Sequence, residues 1–466
     1  MSQTQKNAQR RLITVSNRVA MPRKKGAAAG GLAVGLLAAL EENGGMWFGW
    51  NGRLCDGASA APEIVTQGNI DFATIALNES DYEHYYNGYS NRVLWPVCHY
   101  FLGFIQYSAA DFEGYCRVNA LFARRLAALV KRDDLIWVHD YHLIPLASEL
   151  RRAGVDNPIG FFLHVPFPSY EAFRAVPGHE YLLRALCAYD VVGFHTPRDL
   201  AAFETCIREP IVGAKFRGDH IVDVPGGSFV ADVFPIGVDV TGINKLACDA
   251  QSTKTVRRLA ESLGNRQLIV SVDRLDYSKG LVQRFLAYER LLEKYPNFQN
   301  NTVYMQIAPP TRTGVRTYDD IRAELEQTAG RINGRFAETD WVPIRYLNKG
   351  TQRKPLMGIF RQARVGLVTP VRDGMNLVAK EYLASQDPDD PGVLVLSALA
   401  GAACELEQAV IVNPYDRDEV ADGIATAANM PLAERQQRHA TMLDTLKHND
   451  ITAWRRRFVN ALLRKS

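Results

Sequence analysis

The chain has 466 residues, room for two large α/β domains or about three of average size. Its 54 Lys+Arg against 51 Asp+Glu leave a formal charge of +3, too little for a general polyanion binder, so nucleic acid is not an expected partner. With 47% hydrophobic and 23% charged residues, global disorder and fibrous repeats are excluded.

In chain order, the first β-branched run, Leu12 to Ser16, predicts a strand. Arg23-Lys24-Lys25 and the uncharged run Gly26 to Leu40 that follows have the charge and apolar pattern of a signal peptide. A strand ahead of them, and a run too short and too rich in Gly and Ala to span a bilayer, argue instead for a soluble intracellular protein with no membrane partner. Gly30-Gly31-Leu32 stands between that strand and a helical run, where glycines let amides approach an anion or simply allow a tight turn. It is neither the Gly-x-Gly-x-x-Gly of dinucleotide folds nor a P-loop.

Strands are expected next at Leu135 to His139, Ile159 to His164 and Val191 to His195, with helical segments such as Phe112 to Val130 between them. A second series follows Ile236: Gln267 to Val272, Val303 to Ile307, Ile344 to Leu347, Val365 to Thr369, Val393 to Ser397 and Val410 to Val412. Pro431 to Ser466 is expected to be helical, with Trp454 and Phe458 to dock it. Two doubly wound α/β domains fit this alternation, with a boundary near residues 237 to 250. Seven cysteines without a Cys-x-x-Cys suggest neither a disulfide framework nor a zinc ribbon, and are expected to be buried thiols.

Ligands of open α/β sheets bind beyond the carboxyl ends of the strands, where this sequence is polar. Ser16-Asn17-Arg18, His139-Asp140-Tyr141-His142 and His164 follow strands of the first half; Arg274, Lys279, Arg312 and Asp373-Gly374-Met375-Asn376 follow strands of the second. Arg274 and Lys279, five residues apart in a strand-to-helix turn, suit a diphosphate clamp or a solvated turn paired with Asp276. Asp373 to Glu381 opens a helix whose first amides can bind hydroxyls or phosphate, and Glu381 is either a ribose-diol ligand or a surface carboxylate. His139, Asp140, His142 and His164 lack metal-ligand spacing. Asp387-Pro388-Asp389 reads as an exposed turn.

Together the motifs Ser16-Asn17-Arg18, Ala29-Gly30-Gly31-Leu32, Trp47-Phe48-Gly49-Trp50, Tyr85-Tyr86-Asn87, Leu94-Trp95-Pro96, Trp137 to His142, Phe161 to Pro168, Arg274 to Gly280 and Asp373 to Glu381 resemble glycosyltransferase family 20 of the bacterial type. The resemblance runs from about residue 11 to the C-terminus. It implies a GT-B fold, two Rossmann-like doubly wound domains facing across a catalytic cleft. Residues 1–240 would form the acceptor domain and 241–450 the nucleotide-sugar domain, with a helix at 451–466 crossing back to the first. The implied reaction is retaining transfer of glucose from UDP-glucose to glucose 6-phosphate, giving α,α-trehalose 6-phosphate and UDP. No cofactor and no obligatory metal are implied, and the expected setting is cytoplasmic, in osmoprotection, with a possible homo-oligomer, dimer or tetramer.

Carried over by position, the resemblance places Arg18, Tyr86, Trp95, Asp140 and Arg312 on glucose 6-phosphate. It places Gly30, Gly31, Arg274, Lys279, Thr351, Asp373, Gly374, Met375, Asn376, Leu377, Val378, Ala379, Lys380 and Glu381 on UDP-glucose. Arg274, Lys279, Asp373 and His164 would serve catalysis, His164 near the donor sugar. One departure is Lys349-Gly350-Thr351, where bacterial members can carry an aromatic residue beside the uracil; a base contact from Thr351 would come from backbone and leaves the base preference open. The segment from Arg53 to Val65 fits no recognised pattern. A validoxylamine-type pseudo-glycosidic synthase and a silent sugar-phosphate sensor are the other readings of the same motifs.

Overall fold

Two largely parallel sheets organise the chain. The computed structural model describes residues 10–21, 36–37, 40, 44–57, 61–208, 213–218, 220–311 and 316–465. Among these, the residues through Ile236 together with Thr452 onward form one unit, and Gly237–Ile451 form the other.

The first unit contains β1 (Leu12–Arg18), β2 (Gly45–Cys55), β3 (Glu63–Gln67), β4 (Ile70–Asn78), β5 (Leu135–His139), β6 (Ile159–Phe162), β7 (Val191–Phe194), β8 (Lys215–Phe216), β9 (Ile221–Val224) and β10 (Gly227–Val233). Their order is β3-β4-β2-β1-β5-β6-β7-β10-β9-β8. The seven strands from β4 to β10 pair in parallel, and β3, β8 and β9 add antiparallel edges. Parallel strands covered on both faces read as unbroken apolar runs, and Leu-Ile-Trp-Val-His of β5 is buried at every position. Strands β2 to β4 and β8 to β10 were not anticipated. The glycines of β2 read as turn residues, but Gly49 is there because a Cβ would lie 2.1 Å from the Ser16 carbonyl oxygen of β1. The segment without a recognised pattern becomes the end of β2 and the start of β3, an edge strand exposed at all five positions.

Between β4 and β5 the chain forms a thirteen-residue π-helix, Tyr82–Leu94, longer than the single wide turn in which this geometry usually occurs. It turns Tyr85 and Tyr89 into the core, where both meet Tyr115 of the helix Ala109–Ala127, and leaves Tyr82 and Tyr86 stacked on each other with centroids 5.4 Å apart.

The last helix, Ile451–Leu463, buries Trp454, Phe458 and Leu462, spaced by four on one face. Phe458 lies on β6 and β7, where a Cβ at Gly160 or Gly193 would come within 2.8 Å of its ring. Full burial of an aromatic ring of this size contributes about 2–3 kcal/mol, so Trp454 and Phe458 suffice to fix the helix on the first sheet.

The second unit contains β11 (Gln267–Val272), β12 (Thr302–Ile307), β13 (Ile344–Leu347), β14 (Val365–Val368), β15 (Val393–Ser397) and β16 (Val410–Val412). They pair in parallel throughout, in the order β13-β12-β11-β14-β15-β16. This is the doubly wound order of dinucleotide folds, with its topological switch point between β11 and β14.

None of the seven cysteines is in a disulfide, and the expectation that they are buried holds only for Cys98 and Cys206. Cys248 and Cys404 are exposed and the others half-buried, because Cys116 and Cys248 sit at the margins of amphipathic helices rather than on their apolar stripes. No helix among the described residues is long and apolar enough to cross a membrane.

Candidate active site

In the first unit the candidate residues gather at the carboxyl ends of β1, β5 and β6, beside the switch point between β1 and β5. Parallel register aligns Ser16 of β1 with His139 of β5, and His139 with Phe162 of β6, so the residues that follow emerge side by side. Arg18, at the end of β1, is exposed, with its guanidinium carbon 5.7 Å from the centre of the Trp50 ring. Trp50 donates its indole N–H to the Arg53 carbonyl at 2.8 Å. From Trp50 an aromatic wall continues through Tyr82 (5.3 Å) and Tyr86 (6.2 Å) to His142, which stacks on Tyr86 at 5.8 Å and 10°. Tyr141 links His142 to Trp95, which is itself buried. Tyr85 donates to Asn17 Oδ1 at 2.9 Å and holds the end of β1 in place.

Asp140 has φ +78 and ψ 163, a region open almost only to glycine that costs about 1–3 kcal/mol for other residues. Neighbours hold it there: its amide donates to the Phe162 carbonyl at 2.8 Å, and its Oδ1 accepts the His164 amide at 3.2 Å. Strain kept at an aspartate where glycine would relieve it indicates that the carboxylate is needed. Asp140→Gly is therefore expected to be more stable than Asp140→Ala by about 1–2 kcal/mol, the reverse of the usual order, since both lose the carboxylate and only glycine relaxes the backbone. Thermal unfolding of the two variants decides this, and an alanine variant at least as stable as the glycine one would contradict it.

His139 Nδ1 lies 3.0 Å from His164 Nε2. Burial lowers the pKa of both: His139 falls well below the ordinary histidine value, helped by the neighbouring ring, and His164 is held down to about 3. Both are neutral imidazoles at pH 7.

In the second unit the candidates gather at the carboxyl ends of β11 and β14, beside that sheet's switch point. Arg274 is exposed, two residues after β11, and the loop then makes a short turn, Tyr277–Lys279, in which Asp276 Oδ1 caps Ser278. Gly280 closes it at φ +66, with the Thr369 carbonyl oxygen 2.7 Å from where a Cβ would stand, so the loop lies flat against the end of β14. Lys279 Nζ is bonded to Asp373 Oδ2, which also accepts from Asn376 Nδ2 at 3.0 Å. Asn376, at φ +70, starts the helix Leu377–Ser385, whose first amides have no intrahelical acceptor and carry the positive end of the helix dipole. Gly374 and Met375 are buried in the loop before it.

Glu381 is almost fully buried, 3.3 Å from an Arg353 guanidinium nitrogen. Burial raises its pKa, and Arg353 acts in the opposite direction. Thr351 is half-buried, just before the helix Arg353–Gln362 that carries Arg353. Lys380 stands apart from these groups: its ammonium is buried on Glu405, so only its backbone is available on the side of Asp373. Gly30, Gly31 and Arg312 lie outside the described residues.

Sequence reasoning passed over Trp50 as a ligand and missed Tyr82, His139 in its pairing role, Arg353 and Arg284. Arg284 is fully buried and donates to Asp273 (2.5 Å), Thr369 Oγ1 (3.0 Å) and the Lys279 carbonyl (2.7 Å). It ties the cationic loop to the ends of β11 and β14. The available signal was a lone arginine on the apolar stripe of its helix, among Leu281, Phe285 and Tyr288.

One site thus offers an arginine, a strained carboxylate and an aromatic wall, suited to a phosphorylated sugar. The other offers two cations, a helix N-terminus and a buried carboxylate, suited to a nucleoside diphosphate. Among the described residues no group of three or more His, Cys, Asp or Glu could hold a metal ion.

The same two-sheet architecture occurs in solved structures. The α,α-trehalose-phosphate synthase (UDP-forming) of Burkholderia xenovorans in complex with glucose-6-phosphate superposes with a TM-score of 0.94 at 51% identity, covering 97% of this chain and 100% of that one. An E. coli structure bound with UDP-2-fluoro glucose gives 0.92 at 51% identity, over 97% and 98% of the two chains. The trehalose-6-phosphate synthase of Klebsiella pneumoniae is 53% identical over 452 residues, 97% of this chain and 95% of that protein. The model of glycosyltransferase family 20 matches residues 5–464. The fold is GT-B, and the chain belongs to glycosyltransferase family 20.

Proposed function

We infer that this chain transfers glucose from UDP-glucose to the anomeric hydroxyl of glucose 6-phosphate, with retention at the donor carbon, releasing UDP and α,α-trehalose 6-phosphate. The observation that carries this reading is the division of chemistry between the two sheets, each cluster lying at the switch point where an α/β sheet binds its ligand. In the first unit, Arg18 takes the acceptor phosphate; Arg312, which the family resemblance assigns to the same ligand, stands outside the described residues. Asp140 takes sugar hydroxyls, and Trp50, Tyr86 and Trp95 form the aromatic wall. In the second unit, Arg274, Lys279 and the amides from Gly374 to Lys380 take the diphosphate; Gly30 and Gly31, which the family resemblance assigns to the same ligand, stand outside the described residues. Glu381 grips the ribose diol, oriented by Arg353, and Thr351 meets the base by backbone.

The donor C1–O bond to phosphate breaks as the bond from C1 to the acceptor oxygen forms on the same face, and the acceptor proton passes to the departing phosphate oxygen. No protein nucleophile is needed. The protein supplies charge where the leaving group develops it: Arg274 and Lys279 stabilise the departing diphosphate, Asp373 aims Lys279, and such preorganised electrostatics is usually the largest catalytic term. His164 addresses the donor sugar.

Arg274 and Lys279 supply positive charge where the diphosphate departs, so EDTA is expected to leave turnover within about twofold. Complete loss restored by one specific divalent ion would contradict this. A cytoplasmic location and a homo-oligomer, dimer or tetramer, belong to the same proposal. Nucleoside diphosphate release measured with UDP-, GDP- and ADP-glucose against glucose, glucose 6-phosphate and fructose 6-phosphate tests the assignment. UDP-glucose with glucose 6-phosphate is expected to be the productive pair, and equal release with unphosphorylated glucose would overturn the acceptor site.

A further inference from the structure

The side-chain amide of Asn91 joins two parts of the candidate acceptor site. Asn91 lies in the π-helix and is buried, with Nδ2 2.7 Å from the Tyr86 carbonyl oxygen and Oδ1 3.1 Å from the Tyr141 hydroxyl. A carbonyl oxygen only accepts, so the NH₂ end of the amide must face Tyr86, and the Tyr141 hydroxyl must then donate to the amide oxygen. The chemistry of the two partners fixes the orientation.

The first bond belongs to the wide helical register. In an α-helix a short polar side chain bonds back to a carbonyl three or four residues earlier. Asn91 bonds to the carbonyl five residues earlier, the step of the π ladder. Glu83 and Arg92 mark the same register. They are nine residues apart in sequence and 2.7 Å apart in space; nine residues make about two and a half α turns, which would set the pair on opposite faces, but only about two π turns, which align them. That pair is partly exposed, where an ion pair contributes little, whereas Asn91 is buried.

The second bond ends on a loop that is anchored from its other side. The helix Ala109–Ala127 supplies Tyr115, whose hydroxyl donates to the Tyr141 carbonyl at 2.7 Å, and Asn119, whose Nδ2 donates to the His142 carbonyl at 3.1 Å. Asn91 therefore hangs the Tyr86 turn on a fixed support, beside the loop that holds the strained Asp140. The parallel stacking of Tyr86 on His142 at 5.8 Å is made across this junction.

We propose that Asn91 is a positioning residue of the acceptor site, setting the Tyr86 ring against His142 by joining the Tyr86 carbonyl to the Tyr141 hydroxyl. Its effect on glucose 6-phosphate rests on the reading of Tyr86 and Asp140 as acceptor ligands; the placement of Tyr86 does not.

Calorimetric titration of glucose 6-phosphate into the full chain reads the acceptor site without the donor. Asn91→Leu, close in size and lacking both bonds, is expected to weaken binding about tenfold, while the KM for UDP-glucose stays within about twofold. Asn91→Asp loses the donor to Tyr86 and Tyr141→Phe loses the donor to Asn91; each should weaken binding about threefold, and the pair carries the test should Asn91→Leu not fold. In a Tyr86→Ala background Asn91→Leu should add less than about twofold, because Asn91 acts through that ring, whereas a general loss of structure would add in full. NMR of the ¹³C-tyrosine-labelled chain, with the Tyr86 resonances identified by their loss in Tyr86→Phe, reads the stacking on His142 directly, and these resonances should shift in Asn91→Asp. Unmoved Tyr86 resonances, full additivity with Tyr86→Ala, or an unchanged affinity in the Asn91 variants of a wild type that binds glucose 6-phosphate would each overturn the proposal. If the wild type bound no glucose 6-phosphate while the Tyr86 resonances moved, the acceptor reading would fail and the placement of Tyr86 by Asn91 would stand.

Discussion

Alanine at Lys279 or Arg274 is expected to cut glucosyl transfer by about 10- to 150-fold, since each charge-assisted contact to the leaving diphosphate is worth about 1.5–3 kcal/mol. Lys279→Ala should be the worse of the two. Its ammonium neutralises Asp373, which keeps only the Asn376 amide when the lysine is gone, and a bare carboxylate beside a diphosphate repels it. Arg274, by contrast, is exposed to solvent. Because both cations address the donor, the KM for glucose 6-phosphate should change little. Steady-state kinetics with each substrate varied checks the pair, and a loss below about threefold in Lys279→Ala would contradict a clamp worth this much.

Removing Arg284 should produce the largest loss of stability. Its guanidinium is buried among three acceptors, one of them the buried carboxylate of Asp273. Breaking such a pair from one side costs about 3–5 kcal/mol, because the remaining charge has lost both water and partner. Arg284→Met is therefore expected to destabilise the second unit by that amount, and the double change Arg284→Met with Asp273→Asn to recover part of it. Hydrogen exchange along β11 and β14 reports on this unit alone; unchanged protection in Arg284→Met would contradict the assignment. Turnover should fall as well, since the Lys279 carbonyl loses its donor.

What was legible in the sequence depended on how local the signal is. β5, β6, β7, β14 and β15 are nearly continuous apolar runs followed by polar residues, and that pattern marks a buried parallel strand without knowledge of its neighbours. β2 was not legible, because Gly49 is required by the Ser16 carbonyl on a strand some thirty residues earlier and looks locally like a turn. The π-helix carries no local mark either: its wide turns follow from seating Tyr85 and Tyr89 against Tyr115 while Tyr82 and Tyr86 stay together on the other side. Among site residues, Arg18, Asp140, Lys279 and Asp373 stand at strand ends or in the loops that follow them and could be read from position. Arg284 could not, because one of its partners, Thr369, is far away in the chain. Lys380 shows the converse, a charged residue within a recognised motif whose side chain belongs to a buried pair with Glu405.

The most direct measurement follows the fate of the label from UDP-glucose carrying ¹³C at C1, incubated with unlabelled glucose 6-phosphate and observed by NMR. The expected product has the labelled carbon in an α linkage to the anomeric carbon of a second, 6-phosphorylated ring, with UDP released in equal amount. A β configuration at the labelled carbon, a linkage to any other hydroxyl, or labelled free glucose as the main product would contradict retaining transfer to glucose 6-phosphate.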